Sequence, residues 1–343
     1  MAKSQWSFAT AADLSAALKA KKVSAVELAQ DVIGRIERHD AKVNAICVRD
    51  FTRGLEAARA ADAARARGES KPLLGLPMTV KESYNVGGLP TTWGFPAQKD
   101  FTPPEDALSI SRVKAAGGVI LGKTNVPLGL SDWQSYNDIY GTTNNPFDLT
   151  RTPGGSSGGS SAALAAGYGP LSLGSDIGGS LRVPAFHCGV YAHKPTYALV
   201  PARGHTSPPL PPLPFDRDLS VIGPMARSAA DLSLLLDVIA EPDPIEAGKA
   251  YQLVLPPARH GELNRFRVLL IDTDPLLPTD AAVRAAIEKL GANLGKAGVA
   301  VERSSPLLPD FATSTRLYMR MLLSFLAVSF QPEIYAGAKD AAA

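Results

Sequence analysis

Two glycine-serine runs constrain this chain more than any other feature: Thr152-Pro153-Gly154-Gly155-Ser156-Ser157-Gly158-Gly159 and Gly174-Ser175-Asp176-Ile177-Gly178-Gly179-Ser180-Leu181-Arg182. Glycine leaves backbone amides bare and permits dihedrals barred to other residues, so such runs read as loops that can approach a ligand closely. The sequence around them is of a different kind. Gly75-Leu76-Pro77-Met78-Thr79-Val80-Lys81 is a short apolar run after a turn signal and reads as a buried strand, and Val119-Ile120-Leu121 reads as the next one.

Helices are expected between and around these strands. Ser24-Ala25-Val26-Glu27 is a capping box, and Val26, Ala29, Ile33 and Ile36 then recur at helical spacing. Residues 50–67 are rich in alanine and arginine and predict a more exposed helix ended at Gly68. Residues 105–116 have an acidic start at Glu105 and Asp106 and a glycine stop, and residues 162–166 run helically out of the first glycine-serine loop. Ser228 opens a further helix with Asp231 at the box position and Leu232, Leu235 and Leu236 inside. Further on, Phe266–Ile271 and Val299–Val301 read as strands, and residues 279–296 and 311–330 as helices. The proline-rich segment 206–215 predicts an extended surface connection. Strands alternating with helices indicate an α/β architecture. The expected organisation is one domain over 1–343, with helices to residue 70, a catalytic core over 71–240 and the start of a C-terminal half over 241–343.

Composition removes several classes of function. The chain has 343 residues, 45% of them hydrophobic, and a formal net charge of +2 with scattered Lys and Arg, so it lacks a nucleic-acid footprint. Two cysteines, Cys47 and Cys188, are too few for a disulfide framework and point to a reducing, cytoplasmic setting. The N-terminus shows no apolar leader, and no uncharged apolar run is long enough to span a membrane. Five histidines fall in no metal-ligand spacing, so neither a zinc site nor any other cofactor is expected. His187, His193 and Cys188 lie on apolar sequence and read as core or pocket lining.

The remaining chemistry is nucleophilic. A serine hydroxyl needs a base to take its proton, and no histidine here has a motif context. A lysine at a buried strand end can serve if it is neutral, because burial disfavours its charged form. Lys81 stands at such a place, and a second serine can relay the proton, since a hydroxyl both donates and accepts. Two other patterns mislead. Gly117-Gly118-Val119-Ile120-Leu121-Gly122-Lys123-Thr124 fits a phosphate-binding loop in letters, but its middle reads as a strand. Gly154-Gly155-Ser156-Ser157-Gly158 fits a nucleophile elbow, but residues 145–153 make a poor strand.

The two runs, together with Lys81, Gly122-Lys123-Thr124-Asn125, Lys194-Pro195-Thr196 and Gly223-Pro224-Met225-Ala226-Arg227-Ser228, closely resemble the amidase signature family over about residues 10–240. The resemblance implies an α/β/α fold whose mixed central sheet is covered by helices on both faces. It implies that Lys81 is the general base, that Ser156 is a bridging serine after a cis peptide bond, and that Ser180 is the nucleophile. Amides of Ile177, Gly178, Gly179 and Ser180 would line an oxyanion hole, with Ser157, Asp176 and Arg182 in support. The implied partner is a small-molecule amide, with no cofactor, and a homodimer is compatible. Trp133 suggests a pocket for a larger or aromatic amide. Family members are longer than this chain, and the resemblance leaves two alternatives open: a truncated non-catalytic paralogue, or one glutamine-hydrolysing component of an amidotransferase that amidates charged tRNA.

Overall fold

The computed structural model describes residues 4–213, 216–247, 252–274 and 276–327, together with residues 336, 337 and 339. It divides into two compact units, Met1–Leu253 and Val254–Ala343. In the first unit the order is α1 (Ala11–Lys19), α2 (Ala25–Val43), β1 (Ile46–Arg49), α3 (Phe51–Ala66), β2 (Pro77–Lys81), α4 (Leu108–Ala115) and β3 (Val119–Thr124). A small hairpin of β4 (Tyr136–Asn137) and β5 (Gly141–Thr142) precedes α5 (Gly158–Ala165), β6 (Leu171–Asp176), α6 (Arg182–Cys188) and β7 (Tyr191–Ala192). The unit closes with β8 (Val221–Ala226), α7 (Ala229–Ile239) and α8 (Pro244–Ala247).

Six strands form a mixed sheet in the order β1-β3-β2-β6-β8-β7. β2 runs parallel to β3 on one side and to β6 on the other, whereas β1, β8 and β7 join antiparallel to their neighbours. The chain leaves β2 for β3 on one side and then crosses to β6 on the other, so β2 is a topological switch point. Open α/β sheets build their sites in the crevice at the carboxyl ends of strands at such a point. Lys81 is the last residue of β2 and Asp176 the last of β6.

Every residue of β2, β3, β6 and β8 is buried, because helices cover both faces of the sheet. α1 and α2 begin with reciprocal capping boxes, Thr10 with Asp13 and Ser24 with Glu27. The stripe of α2 that enters the core includes Leu28, Ala29, Ile33 and Ile36, while Val26 stays half-buried. Fully buried side chains such as Leu28 and Ile36 each contribute roughly 2 kcal/mol of apolar transfer.

Four elements differ from the sequence reading. α4 starts at Leu108 rather than at Glu105, because the Asp106 carboxylate is committed elsewhere, accepting from Gly87 N and Lys114 Nζ at 2.8 Å each. α5 starts at Gly158 rather than at residue 162, so the first glycine-serine run supplies its opening turn. Gly159 is needed there because a Cβ would overlap the Asn125 backbone. β6 and β8 carry serine, glycine and proline and do not read as strands, yet both are central. The buried hydroxyls of β6 are satisfied across strands, as in Thr79 Oγ1 to Ser172 Oγ at 3.0 Å.

The second unit holds the parallel pair β9 (Arg267–Leu269) and β10 (Ala300–Glu302) with α9 (Ala281–Lys296) and α10 (Phe311–Ala327). The expected 311–330 helix is described to Ala327; its last three residues lie outside the described residues, as do residues 214 and 215 of the proline-rich segment. Among the described residues, no helix is long and apolar enough to cross a membrane.

Candidate active site

Lys81 is fully buried at the end of β2, and its Nζ lies 2.6 Å from Ser156 Oγ and 3.0 Å from Ser175 Oγ. Burial lowers its pKa to about 7, with the negative charge of Asp176 pulling the other way. At neutral pH a large share of Lys81 is therefore an amine with a lone pair to receive a proton. Ser156 follows a cis peptide bond from Gly155. Its neighbour Ser157, at the first turn of α5, does not cap that helix with its side chain. Instead its Oγ donates to Ser175 O and accepts from Ser175 N, each at 3.3 Å. Ser157 thereby ties the first glycine-serine run to the end of β6. The two runs meet again where Ser157 N donates to Ser180 O at 3.2 Å. Among the described residues, no hydrogen bond joins the hydroxyls of Ser156 and Ser180.

Asp176 organises the second run. Its carboxylate accepts from Gly179 N at 2.8 Å, Leu181 N at 3.0 Å, and Arg182 Nε and Nη2 at 3.0 and 2.9 Å. Burial alone would raise this carboxyl, but the Arg182 guanidinium and the amides of Gly179 and Leu181 outweigh it and hold the group below the ordinary carboxylate range. The loop between β6 and α6 is thus wound around one ionised carboxylate. This geometry alters one expected role. The Gly179 N–H points at Asp176, so it is engaged there rather than offered to an oxyanion. Among the described residues, the N–H groups of Gly178 and Ser180 have no protein acceptor, and Ile177 and Gly178 lie half-buried beside Ser180. Gly179 must still be glycine, because its φ is +104° and a Cβ would meet Val183 Cγ2 at 2.9 Å.

The sequence reading missed Ser175 and His205, and took Trp133 only as a sign of a larger pocket. Ser175 gives Lys81 a second hydroxyl partner, which only the pairing of β2 with β6 reveals. His205 is buried, bonded to Ser83 Oγ at 2.8 Å and packed against Tyr84 and Trp93, and burial together with the nearby positive charge of Lys81 lowers its pKa to about 3. It is a neutral ring that adds no cation beside Lys81. Trp133 donates from Nε1 to Gly178 O at 2.9 Å, on the loop that carries Ser180.

The misleading patterns resolve as expected. Gly122, Lys123 and Thr124 lie in β3, and the Lys123 ammonium is buried against Pro90 O and Thr91 Oγ1, with burial lowering its pKa to about 8. Among the described residues no strand runs directly into Gly154; residues 145 and 148 form only an isolated bridge. One expectation fails in part: Cys188 is buried, but His187 and His193 are exposed. In α6 the buried positions are Pro184, Ala185 and Cys188, which leaves His187 on the outer face.

The structure thus brings together a buried lysine bonded to Ser156 and Ser175 and, on the neighbouring loop, Ser180 next to the unengaged N–H of Gly178. Comparison with known proteins places it in a family. A model of the amidase family matches residues 27–336, and the chain belongs to that family. It is similar to the A subunits of glutamyl-tRNA(Gln) amidotransferases. That of Moorella thermoacetica is 43% identical over 244 residues, covering 71% of this chain and 49% of that one. That of Roseiflexus castenholzii is 42% identical over 281 residues, covering 78% and 55%. The chain therefore spans about half the length of these curated relatives. Among solved structures, a fatty acid amide hydrolase superposes with a TM-score of 0.80 at 25% identity, covering 92% of this chain and 56% of that one. A bacterial aryl acylamidase of the amidase signature family superposes at 0.79, also at 25% identity, covering 97% and 69%.

Proposed function

We propose that this chain carries the acyl-transfer machinery of an amidase that hydrolyses a carboxylic amide C–N bond. One observation carries the reading: a wholly buried Lys81, with its pKa near 7, lies 2.6 Å from Ser156 on the loop that is bonded to Ser180. Ser180 attacks the amide carbonyl, its proton passes to Ser156, and the Ser156 proton passes to Lys81. The N–H groups of Gly178 and Ser180 face the charge that develops on the carbonyl oxygen. Protonated Lys81 then returns the proton through Ser156 to the departing amine. Water then adds to the acyl carbon as its proton passes through Ser156 to Lys81; the bond to Ser180 Oγ breaks, Lys81 returns the proton through Ser156 to that oxygen, and the acid leaves. The substrate is a small-molecule amide, either aryl or aliphatic. Release of amine from simple anilides and alkyl amides tests this, with Ser180→Ala as control. Turnover that persists in Ser180→Ala rules the mechanism out.

A second reading draws on the relatives. At 42–43% identity to amidotransferase A subunits, glutamine is the natural alternative amide. Ammonia release from glutamine exceeding amine release from anilides supports that reading; the reverse ratio supports the simple amidase.

A further inference from the structure

The Gly178–Gly179 peptide unit is gripped at both ends by side chains. Its N–H donates to Asp176 Oδ1 at 2.8 Å, and its C=O accepts from Trp133 Nε1 at 2.9 Å. A peptide between two glycines meets the least steric resistance to rotating its plane, since neither side has a Cβ. Such a rotation would exchange a donor and an acceptor beside Ser180. A carbonyl oxygen turned inward there opposes the negative charge of a tetrahedral intermediate, which preorganised donors are needed to stabilise.

The two grips differ in kind. Asp176 is buried and belongs to the loop itself. Trp133 is 60% exposed, so core packing does not account for its placement. Its backbone is fixed from the other loop. The carbonyls of Asp132 and Gln134 press so closely on Gly155 that any side chain at Gly155 would overlap them. Ser135 Oγ donates to Gly154 O and accepts from Gly158 N, each at 3.1 Å. The segment that carries Trp133 is therefore tied to the loop of Ser156, and the indole reaches from it to the loop of Ser180. The carboxylate pulling on one end of the peptide also polarises its carbonyl, which strengthens the bond from the indole at the other end.

We propose that Trp133 is a positioning residue of the acyl-transfer site: its indole N–H locks the Gly178–Gly179 peptide plane and couples the loop of the relay serine to that of the nucleophile. This rests on the reading of Ser180 as nucleophile, and the test separates the two. Trp133→Phe keeps a ring and removes the donor; Trp133→Ala removes both. The rate at which a small alkyl fluorophosphonate modifies Ser180 should fall about tenfold in both variants, the scale of one lost hydrogen bond. The pH midpoint of the reaction should stay where it is in the wild type, because Lys81 is untouched. Amide hydrogen exchange over residues 177–181 should speed up by a similar factor in both variants.

Wild-type labelling rates in Trp133→Phe, or slowing confined to Trp133→Ala, would assign the residue to packing and overturn the proposal. A shifted pH midpoint would route the effect through Lys81 and also overturn it. If the wild type itself is not labelled at Ser180, the proposed function falls. The exchange measurement then decides the clamp alone, with unchanged exchange in Trp133→Phe refuting it.

Discussion

Removing a lysine from water costs more than removing a serine or an amide, and Lys81 meets that cost by giving up its charge. Its pKa falls from 10.5 to about 7. Between those values the unfolded chain binds a proton here that the folded protein does not, so this site makes stability rise with pH across the window. At pH 7 the full shift corresponds to a few kcal/mol at most. Lys81→Met removes the titration. The variant should therefore be more stable than the wild type near pH 7, and the gap should narrow as pH approaches 10.5 in urea unfolding. A gap that stays constant over that range would mean that Lys81 is charged in the folded state. The place of Lys81 at the end of a buried strand was legible in the apolar run that precedes it. Its bond to Ser175 was not, because it depends on β2 and β6 lying parallel with Thr79 opposite Ser172 and Val80 opposite Leu173. His205 gives no local signal at all; it reaches the site from a loop far along the chain.

At the scale of elements, close approach decides more than propensity. Gly54 lies in the interior of α3, where alanine ordinarily stabilises a helix by about 0.5–1 kcal/mol. Here a Cβ would meet Leu121 Cδ2 at 2.7 Å and Ile120 O at 3.0 Å. Gly54→Ala should therefore destabilise the protein, by about 1–3 kcal/mol in denaturant unfolding. An increase in stability would show that α3 shifts freely on β3. Asp231 is a second case. As foreseen, Ser228 caps α7 by accepting from Asp231 N, but the Asp231 carboxylate does not reciprocate. Buried, it accepts from Ala11 N and Ala12 N and so caps α1 instead. Asp231→Ala should cost about 2 kcal/mol and raise hydrogen exchange in α1 as well as α7. Effects confined to α7 would contradict this pairing. Capping boxes and helical stripes were readable because their signals are local. β6 was hidden because its burial depends on hydroxyls finding partners on another strand, and β8 because Gly223 and Pro224 interrupt the apolar run that would mark it.

Over the whole molecule, apolar burial is concentrated in the first unit. The six-stranded sheet and its helices hold a large continuous core, whereas the strands of the second unit each have exposed ends and α10 has no buried residue among those described. Local stability follows buried contacts. Amides of β9, β10 and α9 should exchange well before those of β2, β3, β6 and β8, and equal protection would contradict that ranking. Lys81, Ser156, Ser175 and Ser180 all belong to the first unit. The most direct measurement is the rate at which a fluorophosphonate modifies the protein as a function of pH, with the labelled peptide mapped. One adduct is expected, on Ser180, with a rate that rises through a midpoint near pH 7 as Lys81 becomes neutral and that collapses in Lys81→Ala. An adduct on Ser156, or labelling of Ser180 that is indifferent to both pH and Lys81, would contradict it.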